Sequence, residues 1–360
     1  MMINLNAIAE IKKADPDGYL DILAGTPSMC RDIWQQFQAQ SYDLAEFDKI
    51  VVCAMGGSAI GADMARFLVE KHTKMPIQIV RDYKLPGWVD EKTLALVYSY
   101  SGNTEETLSG FVEAKKRGSQ IFIVAAGGKL IELAKKYDLN YFELPKNYPP
   151  RTTWGLFFYI TLELLIKSGR IKSGLLELEK SMAAMDKIVA ANQAEIDIDN
   201  NLSKQIAVSL TNSIPIIFGA EHLASVASRW KKEFNENSKI VAFYDEIPEL
   251  NHNLQQGLEC KKELKNSLSM LVLSSELYHP RNLKRAQIIQ ETFTKQEFDV
   301  TTMQIGGKTY EESIVSAVLL GTYASVYLAF LLGKNPVLFE AIEELKDMLK
   351  TKEYTDGLDF

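Results

Sequence analysis

Cysteine is scarce: Cys30, Cys53 and Cys260 are the three in 360 residues, far apart and without a CxxC pair. That spacing excludes a disulfide framework and a cysteine zinc site and suits a reducing compartment, so a cytoplasmic location is expected. With 4 histidines and neither an HExxH nor an HxxE pattern nor clustered carboxylates, no metal centre is expected. Positive charge is also short. Forty Lys and Arg against 47 Asp and Glu leave a net charge of -7, which argues against a nucleic-acid surface. Residues 1–13 scatter polar side chains where a secretory signal would be basic and then apolar. No 18-residue apolar span is expected after them, so no membrane partner is anticipated. The nucleotide signatures GxGxxG and GxxxxGK[ST] are missing as well, which disfavours hydride transfer and triphosphate chemistry.

What is present is ordinary for a globular chain, with 46% hydrophobic and 24% charged residues. At this length two cores are expected rather than one. Short apolar runs at 48–55, 77–80, 94–98, 120–125 and 140–144 read as strands, and helical spacing fills most of the gaps. After Pro149-Pro150-Arg151 two long helices are expected, over 153–166 and 175–191. Then the alternation restarts, with strands over 214–219, 240–244, 268–273 and 298–305 and helices over 221–234, 282–294 and 314–332. Strands alternating with helices imply α/β architecture with parallel sheets covered on both faces. The expected organisation is a helical lead-in over 1–45, a first lobe over 46–150, a helical connector over 151–200 and a second lobe over 201–350.

The chain is organised around Val97-Tyr-Ser-Tyr-Ser-Gly-Asn-Thr-Glu-Glu-Thr107. An apolar strand delivers a loop of hydroxyls to a helix N-terminus, where open amides and the helix dipole favour an anion. Ser99, Ser101 and Thr104 add hydroxyl donors, and Gly102 lets the backbone approach closely. A structural alternative is an N-cap, with Asn103 and Glu106 as a capping box opening the helix at about Asn103. A second strand–glycine–helix junction, Gly56-Gly57-Ser58, follows the first strand. Both loops are expected beyond the carboxyl ends of a parallel sheet, where such folds bind ligands.

Three more motifs, Pro150-Arg151, Asn235-Glu-Asn-Ser-Lys239 and Pro248-Glu-Leu-Asn-His-Asn253, complete a set that resembles the bifunctional phosphoglucose/phosphomannose isomerases. The hydroxyl loop marks only the wider sugar isomerase (SIS) superfamily; the last two motifs are more specific. The resemblance covers about residues 45–346. It implies two flavodoxin-like SIS domains in tandem, a homodimer, and metal-free, cofactor-free aldose–ketose isomerisation of hexose 6-phosphates. The expected reaction interconverts glucose 6-phosphate, with mannose 6-phosphate as a second substrate, and fructose 6-phosphate. Rival readings are a non-catalytic SIS regulator and an isomerase of another sugar phosphate.

Moving a carbonyl between C1 and C2 needs ring opening, a proton shuttle and a held enediolate. Glu236 resembles the family's catalytic carboxylate; read without the family it is a polar helix terminus. His252, in a polar loop-like setting, suits ring opening near neutral pH, and the resemblance implies that it comes from the partner subunit. Arg151 resembles the active-site arginine, the alternative being a solvent-facing residue at a boundary. Lys346 resembles a C-terminal lysine of the family, with Lys350 as the alternative register; it could equally be one residue of an amphipathic helix. The hydroxyl loop itself carries no Lys or Arg, which suits a neutral phosphate cradle. Of the other histidines, His222 is expected to open a helix.

Overall fold

The computed structural model describes residues 3–350, the last of them by its backbone only. In chain order the elements are α1 (Ile8–Ala14), α2 (Tyr19–Ala24), α3 (Thr26–Gln38), β1 (Lys49–Ala54), α4 (Gly56–Glu70), β2 (Ile77–Val80), β3 (Thr93–Ser99), α5 (Glu105–Lys116), β4 (Gln120–Ala125), α6 (Gly128–Lys136) and β5 (Asn140–Glu143). They continue with α7 (Trp154–Lys167), α8 (Leu178–Asn192), α9 (Leu202–Ser209), β6 (Ile214–Ala220), α10 (Ala224–Glu236), β7 (Phe243–Ile247), α11 (Lys262–Lys265), β8 (Leu268–Ser274), α12 (Pro280–Lys295), β9 (Asp299–Gln304), α13 (Tyr310–Leu331) and α14 (Glu340–Lys350).

The chain forms two compact units. One joins Ser28–Leu175 with Glu340–Lys350; the other joins residues 3–27 with Leu176–Phe339. The helices expected to connect two lobes are instead shared out between them. In the first, α7 packs along α4; in the second, α8 and α9 pack along α13. The lead-in divides in the same way, with α1 and α2 in one unit and nearly all of α3 in the other.

In the first-sheet unit five parallel strands run in the order β2-β1-β3-β4-β5. Side chains alternate between the two faces, as pleating requires. Val51, Cys53, Ala95, Val97, Ile121 and Ile123 meet Leu108 and Phe111 of α5 and Leu130 of α6 on one face. On the other, Phe122 and Phe142 meet Phe37 of α3 edge-on, and Tyr98 packs on Phe157 of α7. Burial on both faces explains why β3 reads as an unbroken apolar run. The order reverses direction between β1 and β3. Loops leaving those two strands therefore diverge and open a crevice at the carboxyl edge.

The second-sheet unit has four parallel strands in the order β7-β6-β8-β9, with its reversal between β6 and β8. Its core is α13, which is apolar on all sides because it is enclosed on all sides. Trp230 of α10 fits against Gly321, where a Cβ would lie 2.2 Å from the indole nitrogen, and donates to the Ala317 carbonyl at 2.8 Å. This helix corrects one expectation from the sequence: Tyr310–Leu331 is long and apolar enough to cross a membrane. In the structure 94% of its apolar window is buried within the protein. A second correction concerns β7, which begins three residues later than the apolar run 240–244 suggests. It is an edge strand, and Val241, Phe243 and Tyr244 are exposed on it or beside it, so that run does not mark a buried strand.

Candidate functional site

The hydroxyl loop leaves β3 at its carboxyl end. Ser99, the last residue of the strand, is buried, and its Oγ lies 2.8 Å from Thr104 Oγ1 and 3.3 Å from Ser101 Oγ. It also accepts the Gly102 amide at 3.1 Å, while Ser101 Oγ accepts the Asn103 amide at 3.3 Å. Three hydroxyls thus converge within one turn. The helix behind them starts at Glu105, with Thr104 as N-cap making no capping bond, so its first amides remain available to an acceptor. The capping box offered as the structural alternative is therefore not formed. Asn103 Oδ1 instead accepts from the Lys129 amide at 2.8 Å and caps α6.

Gly102 is held in the left-handed region, with φ +72°, and the turn before α6 packs directly against it. The Leu130 amide donates to the Gly102 carbonyl at 3.0 Å, and the Ala126 amide to the Tyr100 carbonyl at 2.9 Å. The loop is thereby braced by its neighbour after β4. A cation that the loop's own sequence lacks stands beside that turn. The Lys146 ammonium lies 3.1 Å from where a Cβ on Gly127 would be.

At the adjacent strand, β1, the chain passes through Gly56 at φ +51° straight into α4, so Gly56, Gly57 and Ser58 form its first turn rather than a separate loop. Met55 supplies no capping side chain. Ser58 is 7% exposed. Two open helix N-termini therefore flank the β1/β3 reversal, a location and a donor set suited to a phosphate.

Arg151 belongs to the same unit, in a 3-10 turn over Pro150–Thr153 that packs on α4. At 4% exposed it is not the solvent-facing boundary residue that Pro-Pro-Arg also permits. Lys346 is exposed on α14, among the similarly exposed Ile342, Leu345, Met348 and Leu349. The side chain of the alternative, Lys350, and the tail after it lie outside the described residues.

In the second-sheet unit Glu236 is the last residue of α10. The asparagines beside it are structural. Asn237 is buried and donates to Glu233 at 2.5 Å and to Ser325 Oγ at 2.8 Å, and Asn235 donates to the Ile240 carbonyl at 2.8 Å. Glu233 also pairs with Arg229 inside the core. Glu236 is the acid of this motif whose side chain remains partly in solvent. His252 is exposed in the turn Glu249–His252 after β7. Because α10 runs back from the carboxyl end of β6, Glu236 lies at the amino edge of this sheet. β7 then runs forward, so His252 lies past the carboxyl edge. The five residues of β7 alone separate them by about 16 Å. His222 is a core residue, 3.0 Å from Ser313 Oγ and edge-on to Tyr278 and Tyr310. Among the described residues no three His, Cys, Asp or Glu side chains gather as a metal site.

Two parallel sheets, each with its own reversal point, and the two glycine–hydroxyl loops of the first sheet define a tandem pair of α/β domains of the sugar isomerase (SIS) type. A hypothetical protein from Thermus thermophilus shares the fold, with a TM-score of 0.71 at 15% identity over 96% of this chain and 92% of that one. The SIS domain model matches residues 43–146, and the bacterial phospho-glucose isomerase C-terminal SIS domain matches 199–349. A bifunctional phosphoglucose/phosphomannose isomerase from Caldicellulosiruptor bescii is 35% identical over 84% of this chain and 90% of the relative. One from Aquifex aeolicus is 33% identical over 86% and 92%. The chain belongs to the bifunctional phosphoglucose/phosphomannose isomerase family.

Proposed function

We propose that this protein interconverts glucose 6-phosphate and mannose 6-phosphate with fructose 6-phosphate. The observation that carries the reading is the cradle of Ser99, Ser101 and Thr104 hydroxyls at an open helix N-terminus, in a chain of this family. That cradle, with Ser58 across the reversal point, holds the phosphate without a formal positive charge of its own. His252 exchanges a proton as the ring opens, assisted by Lys346. Glu236 then carries a proton between C1 and C2. Arg151 stays charged throughout and balances the enediolate. Glucose and mannose 6-phosphates differ only at C2, and both collapse to one enediol, so a pocket tolerant at C2 accepts both. A proton shuttle and a fixed cation suffice, and no metal or cofactor is assigned.

We also place the working unit in a homodimer in the cytoplasm. Glu236 and His252 stand at opposite edges of one sheet, so a single copy of this unit does not bring them together, whereas a second copy supplies the missing histidine. The exposed Val241, Phe243 and Tyr244 along edge strand β7 give such a dimer an apolar surface to cover.

The test is the purified protein, treated with chelator and supplied with fructose 6-phosphate. Both aldose phosphates should form, and failure to form either would sink the proposal. Glu236→Gln should lower turnover about 10²–10⁴-fold while leaving fructose 6-phosphate binding within about threefold. Undiminished turnover would remove Glu236 as the base.

A further inference from the structure

One side chain of the hydroxyl loop plays no part in the cradle. Tyr100 lies between Ser99 and Ser101 in sequence, yet its hydroxyl donates to the Pro145 carbonyl at 2.6 Å and accepts from the Tyr148 amide at 3.0 Å. The residue is 8% exposed, and burial raises its phenol above the usual tyrosine range, so it stays protonated and able to donate. Its own carbonyl is held by the Ala126 amide. Tyr100 is thus fixed at the backbone by the turn after β4, and at the tip of its ring by the chain after β5.

The clamped chain leads straight to Arg151. Pro149 and Pro150 follow Tyr148, each with its φ restricted by its ring, and Pro149 sits at φ -59°. The turn beyond is closed by the amide and the hydroxyl of Thr152, which both donate to the Pro149 carbonyl, at 2.9 and 2.8 Å. Few soft torsions separate the Tyr148 anchor from Arg151. The phosphate loop and the arginine are joined by one hydroxyl and a stiff arm.

We propose that Tyr100 is a positioning residue for Arg151: it ties the phosphate loop to the arm bearing the guanidinium, so that the cation is set at a fixed place relative to the bound phosphate. This rests on Arg151 being the cation that balances the enediolate. Phenylalanine at position 100 would fill the same space but leave the Pro145 carbonyl and the Tyr148 amide without their partner. The hydroxyls of Ser99, Ser101 and Thr104 would be untouched. The loss should therefore fall on turnover and spare binding.

Tyr100→Phe is expected to lower kcat for fructose 6-phosphate about tenfold, with KM and the affinity for inorganic phosphate changed less than about twofold. In an Arg151→Gln background the same substitution should cost less than about twofold more, because the residue it positions is gone. Ser119→Ala is the control. It removes a buried hydroxyl that donates to the Asp90 carbonyl at 2.8 Å in the same unit and should lower the melting temperature with kcat unchanged. An unaltered kcat in Tyr100→Phe, a rise in KM alone, or an equal loss in both backgrounds would overturn the proposal. If Arg151→Gln by itself keeps full turnover, the cation assignment falls and takes this proposal with it. If the unaltered protein lacks isomerase activity, the functional reading fails first.

Discussion

A Cβ on Gly102 would lie 1.8 Å from the carbonyl oxygen of Gly127 and 3.2 Å from the Gly128 Cα. The atoms in the way are backbone, so no side chain can swing aside. Gly102→Ala also forces an L side chain to φ +72°. Together these should cost about 3 kcal/mol of stability and pull the hydroxyl loop away from α6. Chemical denaturation would read the first effect. The second should appear as at least a tenfold weaker inhibition by inorganic phosphate.

If His252 is supplied across a dimer, two dead variants should rescue each other. Glu236→Gln and His252→Ala, each inactive alone, form mixed dimers on unfolding and refolding together. Each mixed dimer has one intact site of two. About a quarter of the unaltered activity should return under random pairing. Absence of any recovery, with mixed dimers confirmed by mass, would place both groups in one chain's site.

Stability should fall in alkali, beginning near pH 9. Burial pushes the thiols of Cys30 and Cys53 from 9.0 to about 12, and it raises the phenols of Tyr98, Tyr278, Tyr323 and Tyr327 well above 10.0. These groups are held neutral in the folded state. The unfolded chain loses its protons at lower pH, so above pH 9 the folded state binds more protons and stability declines as pH rises. Lys204, lowered by burial, and Tyr137, lowered by its hydrogen bond with Lys136, work in the opposite direction just below 10.5 and 10.0, but they are two groups against six. Urea midpoints at pH 8, 9, 10 and 11 should show the decline; a flat profile would contradict it.

Thiol chemistry should separate the cysteines. Cys30 and Cys53 are buried and Cys260 is not, so in the folded protein at neutral pH a water-soluble disulfide reagent should titrate Cys260 alone. Rapid reaction of all three would mean that the cores around Phe37 and β1 open readily.

Much of the first sheet is legible before folding because it is buried on both faces. Runs such as 94–98 are apolar without interruption, and glycines and hydroxyls punctuate their ends. The hydroxyl cluster of Ser99, Ser101 and Thr104, which we propose as the phosphate cradle, is legible because its parts lie within six residues of one another. Long-range partnerships are not. Asn103 sits three residues before Glu106, which suggests a cap on its own helix, whereas its partner is Lys129, 26 positions away. Arg151 follows two prolines like a boundary residue, and only packing against α4 shows it buried. The start of β7 is misjudged because an edge strand can carry apolar residues outward, and local pattern cannot tell which face they take. Lys146 carries no motif at all, and Tyr100 stands inside one that gives no hint of its partners at Pro145 and Tyr148; distance in space is their only signal.

The second-sheet unit is discontinuous in sequence, and that has a bearing on how the protein is made. Leu5, Ile11, Tyr19 and Leu23 are buried in it, and Lys204 fastens the Leu5 carbonyl to those of Ala194 and Ile196, at 2.6, 2.8 and 2.7 Å. During synthesis the first two dozen residues leave the ribosome some 300 positions ahead of α13, the helix that completes their setting. The β1 to β5 sheet closes over a chain whose opening segment is still waiting. A nascent polypeptide halted after Leu175 should leave residues 3–27 open to protease, and release of the finished chain should shield them.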